Sequence, residues 1–200
     1  MNRVAPLSLE ELPEETRKAL GFARETMGFT SNDVLTMARW PELLSALEQL
    51  IGVIYASGEI DAGLKRMVAM VASSAAGCRY CHAHTAHGAA HMAGADTEKV
   101  EAVWEYRTSP LFDEAERAAL DLALAAGRQP NAATDAHFEA LRKHYSERQI
   151  VEIVSMISLF GFLNRWNDTL ATELEDAPLD FARKHLENGG WEAGPHATGA

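Results

Sequence analysis

The chain has 200 residues, 47% of them hydrophobic, with 18 basic against 29 acidic side chains and a formal net charge of −11. This is enough apolar chain for a sizeable core and excludes bulk disorder. The acidic balance, with no compact Lys/Arg block, makes nucleic acid and membrane surfaces poor partners.

Residues Met1 to Leu12 contain no apolar stretch of signal-peptide length, and later apolar stretches are broken by Glu, Gln, Ser or Arg well short of a bilayer span. The expected location is therefore cytoplasmic. In chain order, Pro13 opens a predicted helix over Glu14 to Met27 that Gly28 stops, Ser31 opens a short segment, and Pro41 opens Glu42 to Ser57 before Gly58. Asp61 precedes Leu64 to Ala76, Gly77 is a break, Tyr80 to Ala93 runs to Gly94, and Asp96 opens Glu98 to Arg107. Asp113 with Glu116, and Ser146 with Gln149, have capping-box spacing for two later helices. Leu179 to Glu187 has a short helical pattern, and the glycines before Trp191 stop it, leaving 188–200 as a tail that Trp191 can dock and whose last residues fray. No alternating Val, Ile and Thr strand appears, so the expected fold is all-α, in a single domain over 1–200.

An internal alignment lays Leu64 to Val71 over Ile150 to Ile157, sets Cys78 against Asn164 and puts Arg66 opposite Glu152. It suggests a repeat of 61–94 in 147–175, although two unrelated buried helices share such apolar periodicity.

The chemistry concentrates in Gly77-Cys78-Arg79-Tyr80-Cys81-His82-Ala83-His84-Thr85-Ala86-His87-Gly88, which holds both cysteines of the chain and three of its eight histidines. Cysteines at i and i+3 near a helix start can close a disulfide across one turn, and the positive end of the helix stabilises a thiolate there. His84, three residues on from Cys81, shares its face and can move a thiol proton; His87 lies one turn further and can orient His84; His82 is rotated about 100° away. Two other uses stay open. The cysteines can be small buried hydrophobes, or the segment can bind zinc, although Cys78 to His87 spans about 13 Å of helix rise and one straight helix cannot supply four ligands to one ion.

The Cys78 to Thr85 block after Leu64-Lys65-Arg66-Met67-Val68, together with Phe160-Gly161-Phe162-Leu163-Asn164-Arg165-Trp166 and Gly190-Trp191-Glu192-Ala193-Gly194, resembles the carboxymuconolactone decarboxylase superfamily. The resemblance is to its alkylhydroperoxidase D-like branch and, within that, to the peroxidase-related proteins. It implies an alkylhydroperoxidase D-like helical bundle with a repeated core, assembled as a homo-oligomer. It also implies reduction of hydrogen or organic peroxides without a bound metal or other cofactor. Carried over from the resemblance, Cys81 is expected to attack the peroxide, Cys78 to resolve the product as a disulfide, and a thioredoxin-like dithiol reductant or peroxiredoxin partner to regenerate the pair.

Three positions depart from that family. Arg66 replaces the relay carboxylate, Tyr80 stands at a relay histidine, and His84 is one residue short of the common spacing. The expectation is therefore that Glu152 supplies the missing carboxylate, with Tyr80 as a hydrogen-bond donor; the alternative is that Glu152 pairs with Arg66 or faces water. A non-catalytic redox sensor and a muconolactone-type decarboxylase are the competing functions, the latter needing no dithiol.

Overall fold

The computed structural model describes residues 2–56, 58–91 and 97–197. The helices open with α1 (Glu14–Met27), α2 (Asn32–Met37) and α3 (Pro41–Tyr55). Pro13 precedes the first and Pro41 begins the third, positions where the missing N–H has no intrahelical partner to lose. Next come α4 (Ala62–Ala76) and α5 (Arg79–His91). The Asp61 carboxylate caps α4 by accepting the N–H groups of Gly63 at 2.8 Å and Leu64 at 3.2 Å. Gly77 ends it at φ +85°, a left-handed conformation that costs glycine nothing and lets α5 start two residues later.

Ser57, the stop expected at Gly94, the start expected at Asp96 and the extreme C-terminus lie outside the described residues. Beyond them α6 (Thr97–Glu101) tightens into a 3-10 turn over Ala102–Glu105, so the helix expected as far as Arg107 ends early. The capping boxes Asp113/Glu116 and Ser146/Gln149 start α7 (Glu114–Ala126) and α9 (Glu147–Leu170) as their spacing predicts, and the short α8 (Asp135–Leu141) lies between. The last helix, α10 (Asp176–His185), begins earlier than Leu179. Pro178 falls in its first turn, where it is tolerated but resembles a breaker in the sequence. No strand occurs among the described residues, and the fold is all-α. No helix among them is long and apolar enough to cross a membrane.

α4 is the axis of the bundle, packing along α5, α7 and α9, and its residues Met67 to Ser73 are all buried. Met67, Val68, Met70 and Val71 meet Ala83, Ala86, Leu120, Ala123, Ile153 and Met156 in one continuous core. Burial of each large apolar side chain contributes roughly 1.5–3 kcal/mol, while the alanines let the backbones approach. α10 lies against α5. The tail after it is pinned by Trp191, 3% exposed, whose Nε1 donates to the Arg79 carbonyl at 3.3 Å.

One charged group is built into the α4–α9 contact. Lys65 Nζ, 3% exposed, lies 3.2 Å from the Glu152 carboxylate and donates to the carbonyls of Ile54 at 2.8 Å and Ala56 at 3.2 Å. The same carboxylate takes Arg148 Nε at 3.1 Å and the N–H groups of Glu59 at 3.2 Å and Ile60 at 3.4 Å. Gly58 makes room for it, since a Cβ there would overlap the carboxylate. In the internal alignment Leu163 stands opposite Gly77, and α9 continues straight where α4 and α5 break.

Candidate active site

The Gly77 break makes Cys78 the residue just ahead of α5. Its sulfur takes the place of a capping oxygen, accepting the Cys81 N–H at 3.4 Å, while its carbonyl accepts the His82 N–H at 3.0 Å. Both thiols are free and buried, Cys78 at 0% and Cys81 at 2% exposure. A second element holds Cys81: Asn167 of α9 donates through Nδ2 to the Cys81 sulfur at 3.3 Å and to the Asp33 carboxylate at 3.2 Å. Burial pushes the Cys81 thiol well up, with the Cys78 contact and Asp33 acting the same way and the Asn167 N–H opposing them. A thiol shifted in this direction rests protonated at neutral pH, so any nucleophilic use of Cys81 requires a partner that moves a proton.

One turn along α5, the His84 ring stacks on Tyr80 with centroids 4.3 Å apart, and its Nε2 lies 2.5 Å from Glu175 Oε2. The other Glu175 oxygen accepts the Tyr80 hydroxyl at 2.9 Å and the Asn32 N–H at 2.5 Å. Glu175 stands at the N-cap of α10, so the start of that helix delivers a carboxylate to the cysteine helix. Burial pulls the His84 imidazole down, but Glu175 and then Asp33 more than offset it, and the net direction is up. Burial likewise pushes the Glu175 carboxyl up, yet the His84 charge and hydrogen bond, with the Asn32 N–H, bring it below the ordinary range. The two form a buried ion pair that can hold or release one proton.

Of the residues expected from sequence, Cys78 and Cys81 meet in the first turn of α5, and Tyr80 and His84 meet through their stacked rings and Glu175. His87 is one turn on, stacked on His91 at 4.3 Å and edge-on to Phe29 and Phe181. Burial, then the neighbouring His91 and His84, lower it to about 4, so it is neutral at pH 7. His82, rotated away from Cys81 as expected, lies edge-on to Trp104, and burial, then the Arg79 charge, lower it to about 3. Glu152 has the Lys65, Arg148, Glu59 and Ile60 partners described above; the carboxylates that reach the residues around the cysteines are Asp33, on Asn167, and Glu175, on Tyr80 and His84. Arg66, at the family's carboxylate position, lies over the Tyr55 ring with 4.3 Å from Cζ to the centroid, and its charge opposes protonation of His84.

Sequence reading missed Asp33, Tyr55, Asn167 and Glu175, all distant in the chain from the cysteines. Asn167 carried the one usable signal, lying one turn after Asn164, the residue aligned with Cys78. The Tyr55 hydroxyl is buried with no hydrogen-bond partner among the described residues, and burial, with a smaller contribution from Cys81, pushes its ionisation up.

Two thiols across the first turn of a buried helix, backed by a histidine–carboxylate pair, define a helical dithiol protein. The chain belongs to the carboxymuconolactone decarboxylase family, which matches residues 41–125, and its fold is that of the AhpD-like, peroxidase-related proteins. It is similar to the debrominase Bmp8, with 37% identity, a TM-score of 0.84 and coverage of 90% of this chain and 96% of that one. A cysteine-to-alanine variant of that debrominase in complex with 2,3,4-tribromopyrrole gives 36% identity and a TM-score of 0.85 over the same shares. A peroxidase-related protein with an AhpD core from Ralstonia eutropha JMP134 shares the fold at 23% identity and a TM-score of 0.78, over 90% of this chain and 95% of that one. The uncharacterized protein YnjA of Escherichia coli K12 is 27% identical over 143 residues, 69% of this chain and 78% of its own.

Proposed function

We propose that this protein is a dithiol reductase in which Cys81 takes an atom from an electrophilic substrate and Cys78 resolves the product as a disulfide. The observation that carries this reading is the cap geometry, with the Cys81 N–H on the Cys78 sulfur at 3.4 Å, which keeps both thiols on one turn. With a peroxide, the Cys81 sulfur bonds to one oxygen, the O–O bond breaks, and the thiol proton reaches the leaving alkoxide through the His84–Glu175 pair. Sulfur is oxidised by two electrons to a sulfenic acid and the peroxide is reduced to an alcohol. Cys78 then displaces the hydroxyl as water, and a thioredoxin-like dithiol reductant returns the disulfide to two thiols.

Similarity to the debrominase favours a second reading, in which the substrate is a halogenated aromatic. The balance is the same: Cys81 takes the bromine, a proton replaces it on the ring, and Cys78 expels bromide as the disulfide forms. Phe29, Tyr80 and Phe181 pack around His84 and His87, and such aromatic surroundings suit a ring substrate. Steady-state assays of a hydroperoxide and of a bromopyrrole, each with a dithiol reductant, separate the two readings. Turnover of one substrate at least tenfold above the other, abolished by Cys81→Ser, is the expected result. Stoichiometric oxidation of both thiols without recycling by any dithiol reductant supports a redox sensor instead.

We read the exposed apolar side chains Trp40, Leu50 and Val53 with Val151, Val154 and Phe162, on α3 and α9 and their edges, as the surface on which copies of this chain associate. Light scattering is expected to give an oligomer for the parent and a monomer for Phe162→Asp; an unchanged mass for the variant contradicts the reading.

A further inference from the structure

Cys78 has surroundings of its own, separate from the His84–Glu175 pair. Its sulfur, a ring nitrogen of His196 and a carboxylate oxygen of Asp168 lie within 4.8 Å of one another. His196 is 1% exposed and is delivered by the tail: Trp191 anchors that segment, and the His196 carbonyl accepts the Leu174 N–H at 2.9 Å. Nδ1 faces the Thr172 carbonyl at 2.7 Å and Nε2 faces Asp168 Oδ1 at 3.2 Å. A carbonyl only accepts, so Nδ1 carries a hydrogen; a carboxylate oxygen also accepts, so the contact at Nε2 is a proton shared between the ring and Asp168.

Asp168 connects this buried group to water. Its side chain is 41% exposed and lines a cavity of about 310 Å³ with Asn164, Arg165 and Thr169. The groups facing His196 are Asp168 from α9 and Cys78 and Tyr80 from the start of α5, the Tyr80 ring 5.9 Å away between centroids. Glu175 and Asp33 lie behind the Tyr80 hydroxyl, and the Arg3 guanidinium rests on the carbonyls of Asp168 and Thr169.

We propose that His196 and Asp168 form a second proton-transfer site, dedicated to Cys78 and used when the disulfide closes. The inference rests on the dithiol reading above. Cys78 loses its proton as its sulfur bonds to that of Cys81, and a fully buried thiol has no water to receive it. In the closing step the S–S bond forms, the bond from the Cys81 sulfur to its oxygen breaks, Cys78 is oxidised and the sulfenic sulfur reduced. The Cys78 proton passes to the His196–Asp168 pair as the proton that pair shares leaves through the cavity, and the expelled hydroxide takes a proton from the His84–Glu175 pair and departs as water. During reduction the path runs backwards and His196 returns a proton to Cys78. Each cysteine thus has its own histidine–carboxylate pair, one from the start of α10 and one from the tail.

The test follows disulfide closure in the intact reduced protein by acid quench and thiol counting between pH 5.5 and 8.5. The oxidant is one equivalent of hydrogen peroxide or, separately, of diamide, an azo compound that takes two electrons and two protons from two thiols. In the parent, closure is expected to reach a pH-independent plateau near neutrality. In His196→Gln it slows about 100-fold at pH 7 and rises about tenfold per pH unit, because hydroxide must now remove the proton. Asp168→Asn, at a position exposed enough to spare the fold, slows closure about tenfold, and Asp168→Glu restores it. Parent-like rates and pH profiles in folded His196→Gln and Asp168→Asn overturn the proposal, as does a slower His196→Gln that keeps the parent's pH profile. Should His196→Gln not fold, Asp168→Asn decides alone. Closure with diamide but not peroxide removes the peroxide reading and leaves the proton path standing, whereas no closure in the parent with either oxidant defeats the dithiol reading and this inference together.

Discussion

Glu175→Gln is expected to lower kcat about 100-fold while leaving both thiols present and the helices intact. Glutamine keeps the shape and the contact with Tyr80 but removes the charge that holds His84 protonated, and general acid catalysis of this kind contributes on the order of 10²–10⁴. The parent's rate should follow a bell. It falls on the alkaline side as His84 loses its proton above its ordinary 6.5, and on the acid side as Glu175 gains one below its ordinary 4.5. Stability has the same signs. His84 is raised on folding, so its contribution is complete below 6.5 and is lost as pH climbs through the folded value. Glu175 is lowered on folding, so its contribution is present above 4.5 and is lost as pH falls through the folded value. The Tm difference between parent and Glu175→Gln is therefore expected to be largest between about 4.5 and 6.5 and to shrink on either side. A difference that grows steadily towards alkaline pH contradicts the ion pair.

Glu152→Ala is expected to act on stability in the way Glu175→Gln acts on rate. It strips the carboxylate from Lys65, which is 3% exposed, and leaves the ammonium with only two backbone carbonyls. Removing one partner of a buried ion pair costs roughly 3–5 kcal/mol. Burial pushes the Glu152 carboxyl up, but the N–H of Glu59 and the charge of Lys65 more than offset this and the net direction is down. The loss should therefore be complete near neutral pH and fade in acid, where the parent carboxylate is itself protonated. Urea unfolding of the two proteins measures it. Turnover by the folded fraction is expected to stay within about twofold of the parent, since general acid–base effects of 10² or more belong to groups that reach the reacting atoms. A folded Glu152→Gln with turnover reduced 100-fold would restore this residue to the relay.

The helical plan was legible because each helix carries its own signals. Asp61 and the two capping boxes start helices, Gly28 and Gly77 stop them in left-handed conformations, and all are local in the chain. The cysteine turn was legible for the same reason, since Cys78, Tyr80, Cys81 and His84 are fixed by one helix's periodicity. What that periodicity cannot reveal is which distant side chain closes the site. Glu175 lies 91 residues from His84 and is set by where α10 begins, a start concealed by Pro178. Asp33 and Asn167 are also far from Cys81 in the chain, and His196 reaches Cys78 from a tail that Trp191 docks. Glu152 drew attention by its alignment with Arg66, whereas the α4 cation it meets is the adjacent Lys65, with Arg148 of its own helix beside it. A shift of one residue on a helix turns a side chain by about 100°, and apolar alignment does not fix charge pairing that finely.

Cys78 and Cys81 are proposed to act as one two-electron unit, with Cys81 attacking. Anaerobic thiol counting before and after one equivalent of oxidant measures this directly in the parent, Cys78→Ser and Cys81→Ser. The parent is predicted to lose two thiols together, Cys78→Ser to stop with a trappable sulfenic acid at Cys81, and Cys81→Ser to remain unreacted. Thiols that survive intact in the parent, or a sulfenic acid that collects at Cys78 while Cys81 stays reduced, contradict it.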